Sequence, residues 1–186
     1  SLVFANMGSR LANRFDLFSG FLHERRLLRT MQYFADTRIH GIVTAALTGD
    51  YSLYNQAIRQ FDQSRIPDGL TLAAYPNDWY WVLPYFSLMW VDMVYDYTMI
   101  TGEKELAAQV MPGVRSVLDW FRRHVGENGI LGKLEWANPN GSNENSTMFS
   151  LYYAYSLNNT ARVCDFLGLT DEAGIYRSQA SSLISA

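Results

Sequence analysis

Three observations predict an all-α fold built from αα-hairpins in series. Strongly apolar helical patterns alternate along the chain with amphipathic ones. The turns inside the pairs, LTGDYSL, ITGEKEL and LGLTDEA, are loosely alike. No segment shows the sustained apolar–polar alternation of a long strand.

Residues 1–16 have no clear period, and Leu2, Val3 and Phe4 suit a short strand or an opening segment. Over 17–31 the positions Leu17, Phe18, Phe21, Leu22, Leu27 and Leu28 predict a helix with Glu24, Arg25 and Arg26 on its wet side. Residues 1–30 therefore read as an opening segment and first helix, and 31–186 as the hairpin domain.

The first hairpin begins with a helix over 36–47, capped by Asp36 and burying Ile39, Ile42, Val43, Ala46 and Leu47. Gly49 ends it in a left-handed conformation, and a second helix over 51–63 buries Leu53, Tyr54, Ala57, Ile58 and Phe61. The organising stretch follows. Its helix over 84–100 is apolar or aromatic on nearly every side, so it must be buried all round. Asp92, Asp96 and several tyrosines interrupt it too often for a membrane span. The partner helix over 103–125 turns Leu106, Val110, Val114, Val117, Leu118 and Phe121 inward, with a kink or break expected at Pro112. A third pair covers 147–167 and 171–184.

Composition narrows the function. The 186 residues suit one domain, 48 % hydrophobic content supplies a core, and a net charge of −3 leaves no basic footprint for nucleic acid. Cys164 is the single cysteine and can form no intrachain disulfide. His23, His40 and His124 lack metal-ligand spacing, and neither a phosphate loop nor a nucleophilic triad is present, so no metal or cofactor is expected. The chain starts at Ser1 without an initiator Met or a signal-peptide pattern, which suggests a piece of something longer.

Turns inside the hairpins are short, whereas the connections between hairpins, 64–83 and 126–146, are long. In stacked hairpins the two kinds lie at opposite ends. One rim then collects Asp36, Arg38, Asp68, Asp78, Trp79, Trp81, Glu135, Trp136 and Glu144. Carboxylates and tryptophans around a concavity suit a carbohydrate: aromatic faces cover a sugar ring and acids accept from its hydroxyls. Plainer readings stand beside these. Asp36 is also a helix cap, Arg38 also a partner for a nearby carboxylate, Asp68-Gly69 also a turn, and the Trp79–Trp81 stretch also core packing. Asp36, Arg38, Asp68, Trp79, Trp81 and Glu135 are the substrate-binding candidates, and no catalytic residue is assigned.

The segments QYFADTRIH, ALTGDYSLYNQAIRQFDQSRIPDGL, YFSLMWVDMVYDYTMITG and MPGVRSVLDWFRRHVGENGILG, in this order, resemble the catalytic domain of bacterial α-L-rhamnosidases, glycoside hydrolase family 78. The resemblance covers roughly residues 31–134 and continues more weakly to the end. It implies an (α/α)6 toroid of six hairpins, of which this chain would hold three, hydrolysing terminal α-L-rhamnosides with inversion and without a metal. It also implies that Asp36 is the last carboxylate of a sugar-binding acidic run. Arg29 stands where the resemblance would place the general-acid glutamate, and Glu24 where it would place the first aspartate of the run. ERRLLRT replaces the usual Cys-Pro lead-in, and EWANPNGSN abbreviates a tryptophan-rich stretch. The general base would lie beyond Ala186.

The expected function is thus a rhamnoside-cleaving glycosidase with a carbohydrate substrate, no nucleic-acid or membrane partner, and additional domains of the same polypeptide. Bacterial cytoplasm or periplasm is the expected location. The alternatives are a carbohydrate-binding relative without catalysis, or a helical-repeat scaffold for protein partners. Long acidic and aromatic loops favour the enzyme over the scaffold.

Overall fold

The computed structural model describes residues 32–76, 80–132, 134 and 146–186. The expectations placed on residues 1–31 and on Asp78, Trp79, Glu135, Trp136 and Glu144 lie outside them. Among the described residues six helices form three antiparallel pairs: α1 (Phe34–Thr48) with α2 (Ser52–Gln63), α3 (Pro84–Thr101) with α4 (Lys104–Arg123), and α5 (Ser146–Leu167) with α6 (Thr170–Ser185). Two short antiparallel strands, β1 (Gln32–Tyr33) and β2 (Ala74–Tyr75), pair Gln32 with Tyr75 and Tyr33 with Ala74. No helix among the described residues is long and apolar enough to cross a membrane.

The first member of each hairpin lies in one layer and the second in the other. Helix α3 sits between α1 and α5, while α2 and α4 pack on each other behind them. Arg115 of α4 ties α6 into that outer layer by donating Nε and Nη2 to the two carboxylate oxygens of Glu172, at 2.8 and 2.9 Å. The core lies between the layers. Tyr54, Ile58 and Phe61 from α2 and Val110, Val114, Val117 and Phe121 from α4 meet Leu88, Trp90, Met93 and Val94 from α3. The inward stripe expected for α4 is buried throughout, which is what a 3.6-residue period with one apolar face produces.

Sharp turns inside the hairpins rest on glycine. Gly49, Gly102 and Gly168 adopt φ of 67°, 70° and 83°, a region costly for residues with a Cβ. Gly49 N–H donates to Ala45 O at 2.8 Å and Gly102 N–H to Thr98 O at 3.0 Å, closing both helices in the same way.

The hairpins are structural repeats. After α2 the bridge Arg65–Thr71 closes a turn, and after α4 the bridge Val125–Leu131 closes another, with equivalent bonds from Ile66 N–H to Leu70 O and from Gly126 N–H to Ile130 O, both 2.8 Å. Each turn is anchored to the next inner helix by a buried serine. Thr71 N–H donates to Ser87 Oγ at 3.0 Å, and Leu131 N–H to Ser150 Oγ at 2.8 Å.

Four expectations need correction. Helix α1 starts two residues before Asp36; Tyr33 occupies the cap position, and Asp36 lies in the first turn without capping it. The residues expected to be buried on α1 are largely not: Ile39, Val43 and Leu47 are 62 %, 51 % and 81 % exposed, and the covered face is Phe34, Thr37, Gly41 and Ala45. Small residues face α2 because Tyr54 lies so close that a Cβ on Gly41 would meet its ring at 2.3 Å. Helix α3 is not enclosed at its end, where Met99 and Ile100 are exposed. Finally, α4 runs through Pro112 without a break. The lost backbone bond is outweighed by the buried neighbours Val110, Met111, Val114 and Val117.

Candidate functional site

The N-terminal ends of α1 and α3 and the long loop before α3 meet at one end of the inner layer. Strand β1 leads into α1, and pairing with β2 fixes its course. Ala73 N–H donates to Trp81 O at 2.8 Å, folding the loop back over β1. This brings Trp81 edge-on to Tyr33, with ring centroids 6.2 Å apart. Trp81 remains 42 % exposed, so the contact leaves much of its indole open. Burial and then the nearby Asp36 charge raise the Tyr33 phenol above its ordinary range, and Asp36 follows Tyr33 by three residues, in the first turn of α1. Asp36 is exposed and, among the described residues, makes no hydrogen bond or ion pair. Tyr85, in the first turn of α3, stacks on Phe149 of α5 at 5.9 Å and continues the aromatic rim to the third inner helix.

Below the rim a polar cluster joins all three inner helices. Asp92 of α3 is fully buried. Its Oδ2 accepts from Arg38 Nη1 at 3.2 Å, Tyr152 Oη at 2.8 Å and Ser156 Oγ at 3.3 Å, while Oδ1 accepts from Asn159 Nδ2 at 3.0 Å. Arg38 Nε donates to Asp96 Oδ2 at 2.8 Å, so one guanidinium spans two carboxylates one helical turn apart. Burial pushes Asp92 up to about 6, against the pull of Arg38, Asn159 and Tyr152. It is therefore ionised at neutral pH and takes up its proton on mild acidification. Burial also opposes the Arg38 charge, but hydrogen bonding to Asp96 and the charges of Asp92 and Asp96 more than restore it. Tyr152 is held protonated by burial and by Asp92.

The structure thus brings Asp36 and Trp81 to one rim and commits Arg38 to an ion-pair network. Arg38 follows Asp36 by two residues, about 200° round the helix, so the two side chains leave α1 on opposite sides. Asp68 is placed elsewhere. Its turn rests on α4, where a Cβ on Gly69 would meet Ser116 O at 3.0 Å, and Asp68 O accepts from Arg123 Nη2 at 3.4 Å. Trp79 and Glu135 lie outside the described residues. His124 stacks on Trp120 at 3.8 Å and its Nδ1 lies 2.7 Å from Trp120 O, a packing role. Among the described residues no group of three or more His, Cys, Asp or Glu could hold a metal.

Reading the sequence missed Tyr33, Asp92, Tyr152 and Asn159. The signal for Asp92 and Asp96 was available: two carboxylates four apart in an otherwise apolar helix demand a buried cation. Nothing local marked Tyr33, whose partner lies across a loop.

The profile of the bacterial alpha-L-rhamnosidase six-hairpin glycosidase domain matches residues 29–186. Among curated protein sequences none matches this chain. Three solved structures share its fold. The family 78 rhamnosidase of Bacillus sp. GL1 is 21 % identical, with a TM-score of 0.73 over 82 % of this chain and 17 % of its own length. The rhamnosidase from Klebsiella oxytoca with rhamnose bound is 18 % identical, with a TM-score of 0.73 over 85 % and 33 %. The α-L-rhamnosidase from Dictyoglomus thermophilum is 13 % identical, with a TM-score of 0.67 over 83 % and 18 %. The chain therefore spans between about a sixth and a third of the solved proteins it matches.

Proposed function

The chain belongs to the six-hairpin glycosidase domain family of bacterial α-L-rhamnosidases, and from that premise we propose that it serves a glycoside hydrolase removing terminal α-L-rhamnose from glycans or glycosides. The mechanism is the inverting one without a metal, in which an acid protonates the leaving oxygen and a base activates water on the opposite side of the ring. The observation that supports this most directly is the rim. An exposed carboxylate, Asp36, stands in the first turn of α1 three residues after Tyr33, whose ring Trp81 meets edge-on while staying partly open. Trp81 offers a face for the apolar side of the sugar, and Asp36 accepts from its hydroxyls. An exposed carboxylate in the first turn of α1 presents two acceptor oxygens, which suits holding the ring. The acid and base are supplied by residues outside the described set, in additional hairpins or domains of the same polypeptide.

A second reading has its own support. Arg29 occupies the position where the family resemblance places the general-acid glutamate. On this reading the protein binds rhamnosides without cleaving them.

One experiment separates these readings. Binding of L-rhamnose and turnover of an aryl α-L-rhamnoside are measured for the full-length polypeptide as wild type, Asp36→Asn and Trp81→Ala. Both substitutions should weaken rhamnose binding, Trp81→Ala by about 1–3 kcal/mol, the scale of burying a large side chain, with helicity intact. Wild-type affinity in both would return Asp36 to a first-turn residue and Trp81 to packing. Binding without turnover would favour the non-catalytic relative.

A further inference from the structure

The covered face of α1 contains Gly41 and Ala45, while the larger Ile39, Val43 and Leu47 face outward. Two features fix this rotation. Phe34 stacks on Phe61 with centroids 3.5 Å apart at the start of α1, and one turn later Arg38 forks between Asp92 and Asp96. Rotating α1 would withdraw the guanidinium and leave Asp92, with no exposed surface, as a buried charge without a counter-ion. The fork has a defined geometry that aliphatic contacts lack.

We propose that Asp92 and Arg38 form the positioning device of the rim: the pair sets the rotation of α1 about its own axis and so holds the Asp36 carboxylate where a sugar hydroxyl meets it. The last step rests on the role given to Asp36 above; the rotation does not. Asp92 and Arg38 are positioning residues and touch no substrate. The groups facing the Asp92 carboxylate are Arg38 from α1, Tyr54 from α2, Asp96 on α3 itself, and Tyr152, Ser156 and Asn159 from α5. Arg38 and Tyr152 keep their protons throughout the neutral and mildly acidic range, so acidification loosens the device by protonating Asp92.

Nitroxide labels at Val43→Cys on the outward face of α1 and Asn158→Cys on α5 report the rotation as an inter-spin distance; native Cys164 is buried and escapes labelling. At pH 7.5 the labelled parent should show one narrow distance. Asp92→Asn and Arg38→Lys should broaden it at least twofold, since an amide loses the charge and a lysine cannot fork. Arg115→Gln, in the outer layer, should leave it unchanged. At pH 5 the labelled parent should broaden toward Asp92→Asn, while Asp92→Asn itself should not change with pH. A merely structural Asp92 would show no such pH dependence in the parent. L-Rhamnose affinity should fall at least tenfold in Asp92→Asn. An unchanged narrow distance in folded Asp92→Asn overturns the proposal. If the parent fails to bind rhamnose, the role of Asp36 falls and the spin distances still decide the rotation. Should Asp92→Asn lose its helical circular dichroism, Asp96→Asn cuts the other prong at a partly exposed residue and supplies the same comparison.

Discussion

Trp90 and Tyr153 perform the same task in successive hairpins: Trp90 Nε1 donates to Ile58 O at 3.0 Å, and Tyr153 Oη to Leu118 O at 2.9 Å. Each stands three residues after the serine that anchors the preceding turn, and each acceptor lies seven residues before the bridge closing that turn. A different aromatic thus meets the same need, which is to bind an inner helix to the outer helix of the hairpin before it.

That equivalence is measurable. Tyr153→Phe removes one hydroxyl and its bond to the Leu118 carbonyl, which keeps its place in the α4 hydrogen-bond ladder, so it should cost about 0.5–1.5 kcal/mol. Trp90→Phe removes the corresponding bond to the Ile58 carbonyl and also opens a void, so it should cost more than Tyr153→Phe. Urea unfolding of the two variants gives the comparison. A neutral Tyr153→Phe would show that the bond does not clamp the hairpins.

Two glycines should respond to alanine with opposite signs. At Gly41 the new methyl would meet the Tyr54 ring at 2.3 and 2.5 Å, and that ring is itself buried and has nowhere to retreat. Overpacking of this kind costs about 1–3 kcal/mol. At Gly174, inside α6, nothing lies within 4 Å, and alanine should stabilise by about 0.5–1 kcal/mol through helix propensity. Thermal melts of Gly41→Ala and Gly174→Ala test both, and a destabilised Gly174→Ala would mean that α6 is constrained by something other than its own backbone.

Acid should affect Asp92 in the direction opposite to most carboxylates. Its folded pKa of about 6 stands above the roughly 4 of an unfolded aspartate. The folded state therefore binds the proton more tightly. The stability linked to this group is fully present below about pH 4 and is lost as pH rises through 6. Glu172, held low by its hydrogen bond to Arg115, contributes in the ordinary sense and loses stability as pH falls. Subtracting the unfolding free energy of Asp92→Asn from that of the wild type isolates the single group. The difference should decline between pH 4 and 6 and be level above pH 7. A difference that grows with pH would mean that Arg38 and the other donors outweigh burial.

Local pattern carried the hairpins. A 3.6-residue period placed the buried stripe of α4 correctly, because one covered face must carry one apolar stripe. Three glycines marked the hairpin turns, because a left-handed residue without a Cβ is a backbone requirement readable at a single position. The alternation of strongly apolar with amphipathic helices likewise reported two layers, since a helix flanked on several sides has no room for a polar face. Tertiary structure alone decided which face of α1 is covered. There the period pointed to Ile39, Val43 and Leu47, yet the close approach of Tyr54 to Gly41 and the pull of Asp92 and Asp96 on Arg38 turned that stripe outward. The same holds for the rim, where Tyr33 meets Trp81 only because β2 pairs with β1 and folds the loop back. These choices depend on shape and charge brought together from residues in different elements, up to 58 positions apart, and a repeat within one helix holds no record of what a distant helix presents to it.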